Sequence, residues 1–197
     1  MPTTTFRGIR LAGGSETRSY VDLMGLNSDF HSRRSPRLEG YDYSLNGAYF
    51  VTICAHNHAS LFGEILNGEM RLNNLGEIVK TSLLDLPCHY RHIDLDTFSI
   101  MPNHIHVLIS FPGVGAGLRP ARNAKEMPQG LPEIIRALKS FSSRGINQIC
   151  KTPGNQVWQR GYYEHIVRKE DDLNRIREYI EYNPARWAED EENLSMQ

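Results

Sequence analysis

The stretch HIDLDTFSIMPNHIHVLISF, residues 92–111, decides the fold of this chain. Apolar or small side chains alternate with polar or larger ones over residues 92–101, as in a strand with two different faces. Residues 104–111 form an almost continuous apolar run, which is typical of a buried strand. Because Pro102 and Asn103 alone separate the two runs, the sequence predicts an antiparallel β-hairpin.

His104 and His106 interrupt the apolar run of the second strand. Positions i and i+2 of a strand point to the same face, so the two imidazoles stand side by side, and Ile105 and Val107 point to the other face. If helices cover the Ile105 face, both imidazoles lie on the open face of the sheet. Two imidazoles can bind a divalent metal, but such a site needs a third ligand with an oxygen atom. Histidines without a function remain the alternative for this pair.

The other elements are predicted from composition and from the spacing of apolar residues. They are a strand at 47–55, a helix at 71–86, a helix or helix pair at 131–149, a strand at 157–168 and a helix at 169–187. With the hairpin they give the order β-α-β-β-α-β, followed by one added helix. This order predicts an α+β fold of the ferredoxin-like or RRM-like type, an antiparallel sheet with helices on one face. The bare face of such a sheet binds nucleic acid in RNA-recognition modules.

The last predicted helix carries polar residues that could complete a metal site. Tyr179 and Asn183 are four residues apart and share one helix face, and Pro184 places the amide at the end of the helix. A tyrosine hydroxyl is a potential nucleophile, and an amide oxygen is a potential metal ligand. Tyr182 is a rival nucleophile that lies off this face, and packing is the alternative role for both tyrosines. A neighbouring stripe should pack the helix on the sheet: Leu173, Ile176 and Ile180.

Charge and cysteine content limit the classes of function. The formal net charge is −1, but residues 119–186 carry thirteen Lys or Arg against eight Asp or Glu, which is compatible with a polyanionic partner. The three cysteines form no CxxC pair, which argues against a zinc knuckle and against a disulfide scaffold. No run approaches the roughly 20 apolar residues of a membrane span, so we expect a soluble cytoplasmic protein.

We expect one folded domain at residues 41–188. Residues 1–40 lack a periodic apolar pattern and are predicted to form a flexible basic arm. Residues 112–130 are rich in Gly and Pro and are predicted to form an exposed insertion loop. Residues 189–197 are predicted to be an acidic tail.

Five blocks of the sequence resemble one protein family. His104-Ile105-His106 resembles the His-hydrophobic-His motif of the HUH single-tyrosine transposases, and YIEYN at 179–183 resembles their tyrosine-bearing helix. The resemblance is closer still to the REP-associated tyrosine transposases, and it spans about residues 33–188. The blocks are GYDYSLNGAYFVTICAHN (40–57), GEMRLNNLGEIV (68–79), MPNHIHVLI (101–109), VWQRGYYEHIVR (157–168) and LNRIREYIEYNPARW (173–187).

The resemblance implies transposition chemistry on single-stranded DNA. In that family a tyrosine hydroxyl attacks a DNA phosphodiester and leaves a 5′-phosphotyrosine link and a free 3′-OH. Mapped onto this chain, Tyr179 is the nucleophile, His104 and His106 bind Mg²⁺ or Mn²⁺, and Asn183 supplies the third ligand. The implied enzyme is a prokaryotic, nucleoid-associated nickase or strand transferase. It acts on imperfect DNA hairpins as a monomer or a homodimer.

Binding to single-stranded DNA requires cations along the backbone and aromatic faces for the bases. The predicted arm offers cations, and the folded domain offers further basic and aromatic side chains. We predict DNA contacts from Arg33, Arg34, Arg37, Lys139, Arg144, Trp158, Arg160 and Arg168. A role in solubility is the alternative for the exposed basic residues.

Three other functions compete with this interpretation. A HIT-type nucleotide hydrolase would have an HxHxH motif, but Leu108 stands where the third histidine would be. An RNA-binding module would carry stacking aromatic residues on its central strands, where this chain has histidines. A domesticated relative that binds DNA hairpins without cutting them is the remaining alternative. The four intact active-site positions favour an enzyme.

Overall fold

The computed structural model describes residues 47–112, 129–190 and 192–193. The predicted arm with Arg33, Arg34 and Arg37, most of the predicted insertion loop and the last four residues lie outside this part of the chain. Within it, no helix is both long enough and apolar enough to span a membrane.

The helices and strands follow one another in the predicted order, with one extra hairpin. In chain order they are β1 (Gly47–Cys54), β2 (Gly63–Leu66), β3 (Glu69–Leu72), α1 (Asn74–Leu84), α2 (Leu86–His89), β4 (Asp94–Ile100), β5 (His104–Phe111), α3 (Leu131–Cys150), β6 (Tyr163–Val167) and α4 (Glu170–Tyr182). Short 3₁₀ helices lie at His56–His58 and Pro184–Glu189.

Four of the strands form one antiparallel sheet in the spatial order β4-β5-β1-β6. The two strands of each β-α-β unit are therefore separated by a strand of the other unit, as in a ferredoxin-like fold. The register places Thr52 opposite His106 and Cys54 opposite His104. The predicted α+β fold and the predicted hairpin of β4 and β5 are confirmed.

Helices α1 and α3 cover one face of the sheet. Asn73 begins α1 as an N-cap, because its side chain accepts hydrogen bonds from the backbone N–H groups of Leu75 and Gly76. Ile53 of β1 and Ile105 of β5 point to this face. They form the main hydrophobic core with apolar residues of both helices, among them Val79, Leu83, Ile134 and Leu138.

The face that carries the two histidines is not open, contrary to the expectation from the sequence. The apolar stripe of α4 packs on Phe50 and Leu108 of this face; it consists of Leu173, Ile176 and Ile180. His104 and His106 are 0% and 3% exposed. The added helix has to bury its own apolar stripe, and the free face of the sheet is the surface that it finds.

The extra hairpin consists of β2 and β3, and Asn67 and Gly68 form the turn between them. Both residues have a positive φ, 54° and 79°. This is the geometry of the tight hairpin turns that an Asn-Gly pair favours. The Asn-Gly pair is thus a turn signal in the sequence, although the flanking strands are too short to show a clear alternation.

Three boundaries also differ from those predicted. Helix 71–86 begins at Asn74 and ends at Leu84, and a separate short helix follows it. Strand 157–168 is reduced to β6 and one bridge between Ala55 and Trp158. The helix at 169–187 ends at Tyr182 and a 3₁₀ helix follows, because Pro184 has no N–H group for the next α-helical hydrogen bond and its ring crowds the carbonyl four residues before it.

Candidate active site

His104 and His106 project from β5 and meet on the side of the sheet that α4 covers. Their Nε2 atoms are 2.9 Å apart. Nδ1 of His104 lies 2.8 Å from Oδ1 of Asn103, and Nδ1 of His106 lies 2.8 Å from Oγ1 of Thr52. Because an amide oxygen accepts and does not donate, Nδ1 of His104 carries the proton and its Nε2 atom keeps the lone pair.

Burial keeps both imidazoles neutral. It lowers the pKa of His104 to about 3, with a smaller contribution from His58. The pKa of His106 is also well below its usual value, first because of burial and then because of His104, although Asp190 raises it. Neutral imidazole is the form that binds metals, so both side chains are ready to act as ligands at neutral pH.

Tyr179 brings a hydroxyl group to the histidine pair from α4. Its Oη atom lies 3.2 Å from Nε2 of His106. Its ring packs edge-on against Phe50, with the ring centroids 5.9 Å apart. Tyr182, the rival nucleophile, is 51% exposed. Of the two tyrosines, Tyr179 is therefore the one that lies at the histidines.

Asn183 directly follows the last residue of α4 and is 3% exposed. Its Oδ1 atom is buried and has no hydrogen-bond partner among the described residues. A buried carbonyl oxygen that accepts no hydrogen bond is costly, so such an atom calls for an explanation. Coordination of a cation would satisfy this oxygen, in agreement with the third-ligand role that the resemblance implies.

Asp190 brings a carboxylate to the histidine pair, and this residue was not predicted from the sequence. Its Oδ2 atom lies 3.8 Å from Nε2 of His104 and has no hydrogen-bond partner among the described residues. Asp190, His104 and His106 lie close enough together to hold one metal ion. No spacing in the sequence signals this approach, because it depends on how the chain turns through Pro184–Glu189.

Side-chain amides hold the segment after this 3₁₀ helix against the sheet. Nδ2 of Asn103 donates to the carbonyl oxygen of Glu192 at 2.6 Å, and Nδ2 of Asn193 donates to that of Trp187 at 2.8 Å. The indole of Trp187 lies over His104, with the ring centroids 6.0 Å apart. The segment therefore helps to bury the histidine pair.

Comparison with known proteins finds similarity to transposases. A family model described as "Transposase IS200 like" matches residues 124–183, which include Tyr179 and Asn183. An uncharacterized protein of Haemophilus influenzae is 38% identical over 171 residues, 84% of this chain and 95% of that protein. A second H. influenzae protein, assigned to the REP-associated tyrosine transposases, is 24% identical over 147 residues, 74% of each chain. This chain is therefore similar to the IS200-like transposases and to the REP-associated tyrosine transposases.

By this similarity the chain is a transposase-like protein. A solved structure, described as a REP-associated tyrosine transposase bound to a REP hairpin, is similar to it with a TM-score of 0.53 and 15% sequence identity. The match covers 78% of this chain and 76% of the other chain. It confirms the mixed α+β fold with its antiparallel sheet.

A forked ion pair fixes the tyrosine-bearing helix α4 to the edge of the sheet. Nε and Nη2 of Arg177 donate to Oδ1 and Oδ2 of Asp96 at 2.9 Å and 2.6 Å. The register of β4 and β5 shifts between Leu95 and Thr97, so Asp96 lies in an irregular part of the strand that can re-aim its side chain. The fork holds the helix two residues before Tyr179.

The basic residues predicted to contact DNA lie in two kinds of environment. Three of those in the described part are exposed: Arg144, Arg160 and Arg168. The Nζ atom of Lys139 instead donates to the backbone carbonyl oxygens of Gln159 and Gly161. Burial lowers the pKa of Lys139 to about 8. Lys139 thus ties α3 to the loop before β6, and its contact with DNA stays a prediction.

Trp158 packs in the protein interior. It is 4% exposed, its indole lies against Phe62 with the ring centroids 4.9 Å apart, and its Nε1–H donates to Oγ of Ser142 at 3.0 Å. A base would need an exposed ring face to stack on. This geometry supports a packing role for Trp158 and does not support the predicted contact with DNA.

Proposed function

We propose that this chain cuts single-stranded DNA at REP-like hairpins through a covalent bond to Tyr179, with Mg²⁺ or Mn²⁺ as cofactor. The main supporting observation is the Tyr179 hydroxyl, 3.2 Å from Nε2 of His106. A phenol next to two neutral imidazoles combines a nucleophile with a pair of metal ligands. An RNA-binding module of the same fold would not need this combination.

The residues present fit a divalent metal. His104, His106 and Asn183 would hold it, with Asp190 as a further oxygen ligand. Two atoms bound at right angles to one ion at about 2.1 Å are about 3 Å apart, and the two Nε2 atoms are 2.9 Å apart. Buried Oδ1 of Asn183 and Oδ2 of Asp190 have no hydrogen-bond partner among the described residues. When bound, the metal polarises the scissile phosphate and offsets the charge that develops there.

Tyr179 supplies the attacking oxygen in the proposed step. Its Oη atom forms a bond to phosphorus, and the bond between phosphorus and the 3′ oxygen breaks. The tyrosine loses one proton and the leaving oxygen gains one, so the step needs no water and no redox partner. Before substrate arrives, the hydrogen bond to His106 holds the hydroxyl at the pair. Since the phosphotyrosine conserves the energy of the broken bond, the strand can be joined again elsewhere.

Two observations support a DNA hairpin as the substrate. The solved relative is described as bound to a REP hairpin. Exposed cations are available for the DNA backbone at Arg144, Arg160 and Arg168. Contacts from the arm residues Arg33, Arg34 and Arg37, a place in the prokaryotic nucleoid and a monomeric or homodimeric state are predictions that accompany this proposal.

Covalent capture on a denaturing gel tests the proposal. The full chain is incubated with Mg²⁺ or Mn²⁺ and a labelled single-stranded hairpin taken from near its own gene. We expect a protein–DNA adduct in the wild type and at least about a 100-fold loss in Tyr179→Phe, because the nucleophile is gone. The matched control is Tyr182→Phe, which changes an exposed tyrosine on the same helix and should keep the wild-type level. An undiminished adduct in Tyr179→Phe would rule out this nucleophile, and an adduct formed without metal would rule out the cofactor.

A second candidate is a protein that binds DNA hairpins and does not cut them. The burial of the histidine pair favours it, because Trp187 and Asp190 lie against His104, which is 0% exposed. In this conformation the two imidazoles are 0% and 3% exposed, so they offer a phosphate almost no surface. Tight hairpin binding without any adduct in either metal would decide for this candidate.

A further inference from the structure

We propose that Cys54, His58 and Glu192 form a second metal site, separate from the histidine pair, that takes Zn²⁺ or a similar thiolate-binding cation. Cys54 is the last residue of β1, His58 ends the short 3₁₀ helix that follows it, and Glu192 belongs to the C-terminal segment. The REP-associated transposase reaction proposed above makes no use of these three residues.

The distances between the ligand atoms suit one ion. Sγ of Cys54 lies 3.4 Å from Oε2 of Glu192, and Nδ1 of His58 lies 3.1 Å from the same oxygen. All three ligand atoms lie within 4.8 Å of one another. In a tetrahedral zinc site, with Zn–S at about 2.3 Å and Zn–N or Zn–O at about 2.0 Å, neighbouring ligand atoms are about 3.3–3.5 Å apart. The Sγ–Oε2 and Nδ1–Oε2 distances, 3.4 Å and 3.1 Å, are close to these values.

His58 lies in a stretch of backbone whose conformation is uncommon for residues other than glycine. Asn57 and His58 both have a positive φ, 54° and 50°, and neither is a glycine. Such conformations persist where the surroundings determine them, and they cluster at ligand sites. The buried Nδ1 atom of His58 has no hydrogen-bond partner among the described residues, because its close approach to Glu192 lacks hydrogen-bond geometry. A metal ion would satisfy this nitrogen.

The chemistry of the three ligands selects the cation. A thiolate is a soft ligand that suits Zn²⁺ and is a poor ligand for Mg²⁺. The histidine pair with Asn183 and Asp190 offers nitrogen and oxygen atoms without sulfur, so the two sites differ in the metal that each prefers. The side chains of His58 and Glu192 are 24% and 30% exposed, which leaves room for water as a fourth ligand. The absence of a CxxC pair excludes a zinc knuckle but not a site with one cysteine.

One residue, Asn103, connects the second site to the histidine pair. Asn103 donates from Nδ2 to the carbonyl oxygen of Glu192 and accepts at Oδ1 from Nδ1 of His104. A cation that fixes Glu192 would therefore also fix the amide that orients His104. We assign to the second site a structural role: it fastens the C-terminal segment to β1 beside the histidine pair.

Cobalt substitution tests this site independently of DNA cleavage. The reduced, metal-free full chain is titrated with Co²⁺, and its absorption spectrum is recorded. We expect a thiolate-to-cobalt charge-transfer band in the near ultraviolet, which nitrogen and oxygen ligands do not give, and we expect Zn²⁺ to abolish it. Binding should also release the thiol proton of Cys54, because the thiolate is the ligand.

Matched variants separate this site from the alternatives. Cys54→Ser should lose the charge-transfer band, and Cys88→Ser, which changes an exposed cysteine, should keep it. If Cys54→Ser fails to fold, Glu192→Gln is the second variant, and it should weaken Co²⁺ binding at least about 10-fold. The absence of the band in wild type, or its persistence in Cys54→Ser, would overturn the proposal. His106→Ala should keep the band, so failure of the cleavage mechanism and failure of this site give different results.

Discussion

At the scale of single residues, two neighbours set the orientation of the histidine pair. Asn103 and Thr52 bind the Nδ1 atoms, so the two Nε2 atoms face one another and Tyr179 approaches one of them. Partners of this kind fix the ring orientation and the tautomer of metal-binding histidines. The proposed nucleophile and the proposed ligands are thus arranged before any substrate binds.

We expect the metal-free protein to lose stability as the pH falls below about 6.5. The pKa of His104 is lowered by burial from 6.5 to about 3 in the folded protein. Between these two values the unfolded chain binds a proton at this residue and the folded chain does not, so stability rises with pH across the window. At pH 5 this one group should lower the free energy of unfolding by about 2 kcal/mol relative to neutral pH. Urea unfolding at pH 7 and pH 5 measures the difference.

The variant His104→Gln provides the comparison for this pH effect. It removes the titrating ring, so the loss of stability between pH 7 and pH 5 should shrink by about 2 kcal/mol. His89→Gln, which changes a histidine on the protein surface, is the matched control. An equal pH dependence in wild type and His104→Gln would contradict the expectation.

The sequence predicts those site residues that share one regular element. The common face of His104 and His106 follows from strand alternation, and that of Tyr179 and Asn183 follows from helix spacing. Asp190 could not be predicted in this way, because it reaches His104 through an irregular turn. The burial of the pair was also missed, since the position of an added helix depends on which surface is left to cover its apolar stripe.

At the scale of elements, an apolar contact and an ion pair position helix α4 on the sheet. Burial of Ile176 and Ile180 contributes about 1.5–3 kcal/mol for each side chain. The fork between Arg177 and Asp96 is partly exposed, with side-chain exposures of 42% and 22%, so it contributes about 1 kcal/mol at most. The apolar stripe therefore determines that α4 docks on the sheet, and the fork determines how it is turned there.

We expect Arg177→Gln to slow the formation of the tyrosine adduct about 3- to 10-fold, with a loss of about 1 kcal/mol or less in the free energy of unfolding. The reason is that Tyr179 loses a fixed position while the core stays intact. Single-turnover adduct rates and urea unfolding measure the two effects. Arg175→Gln is the control, because Arg175 pairs with Asp172 of its own helix. If Arg177→Gln instead weakened hairpin binding and left the adduct rate unchanged, Arg177 would contact DNA.

At the scale of the whole molecule, the order of the elements was enough to predict the topology. Few arrangements of β-α-β-β-α-β connect adjacent elements without crossing, and the ferredoxin-like sheet is one of them. The path of the chain after Asn183 could not be predicted in this way, because the sequence there has no regular spacing of apolar residues that would indicate an α-helix or a strand. That path brings Asp190 to one ligand cluster and Glu192 to the other.

We expect Mn²⁺ to raise the melting temperature of the whole chain and EDTA to reverse the effect. An ion that binds the folded state alone adds about 2.7 kcal/mol to the free energy of unfolding at 100 times its Kd. Thermal unfolding followed by circular dichroism measures the shift. His106→Ala should lose it, and Cys54→Ser should keep it, because the two residues belong to different clusters. A melting temperature that does not respond to Mn²⁺ would contradict the metal assignment of the histidine pair.

The position of α4 over Phe50 and Leu108 also bears on how copies of this gene could lose the proposed cutting activity. A premature stop codon before α4 would remove Tyr179, but it would also uncover both apolar side chains and leave a product prone to aggregation. A missense codon at Tyr179 would remove the proposed nucleophile and keep α4 over Phe50 and Leu108. Selection for a protein that binds hairpins without cutting them should therefore favour point changes at this codon over truncation.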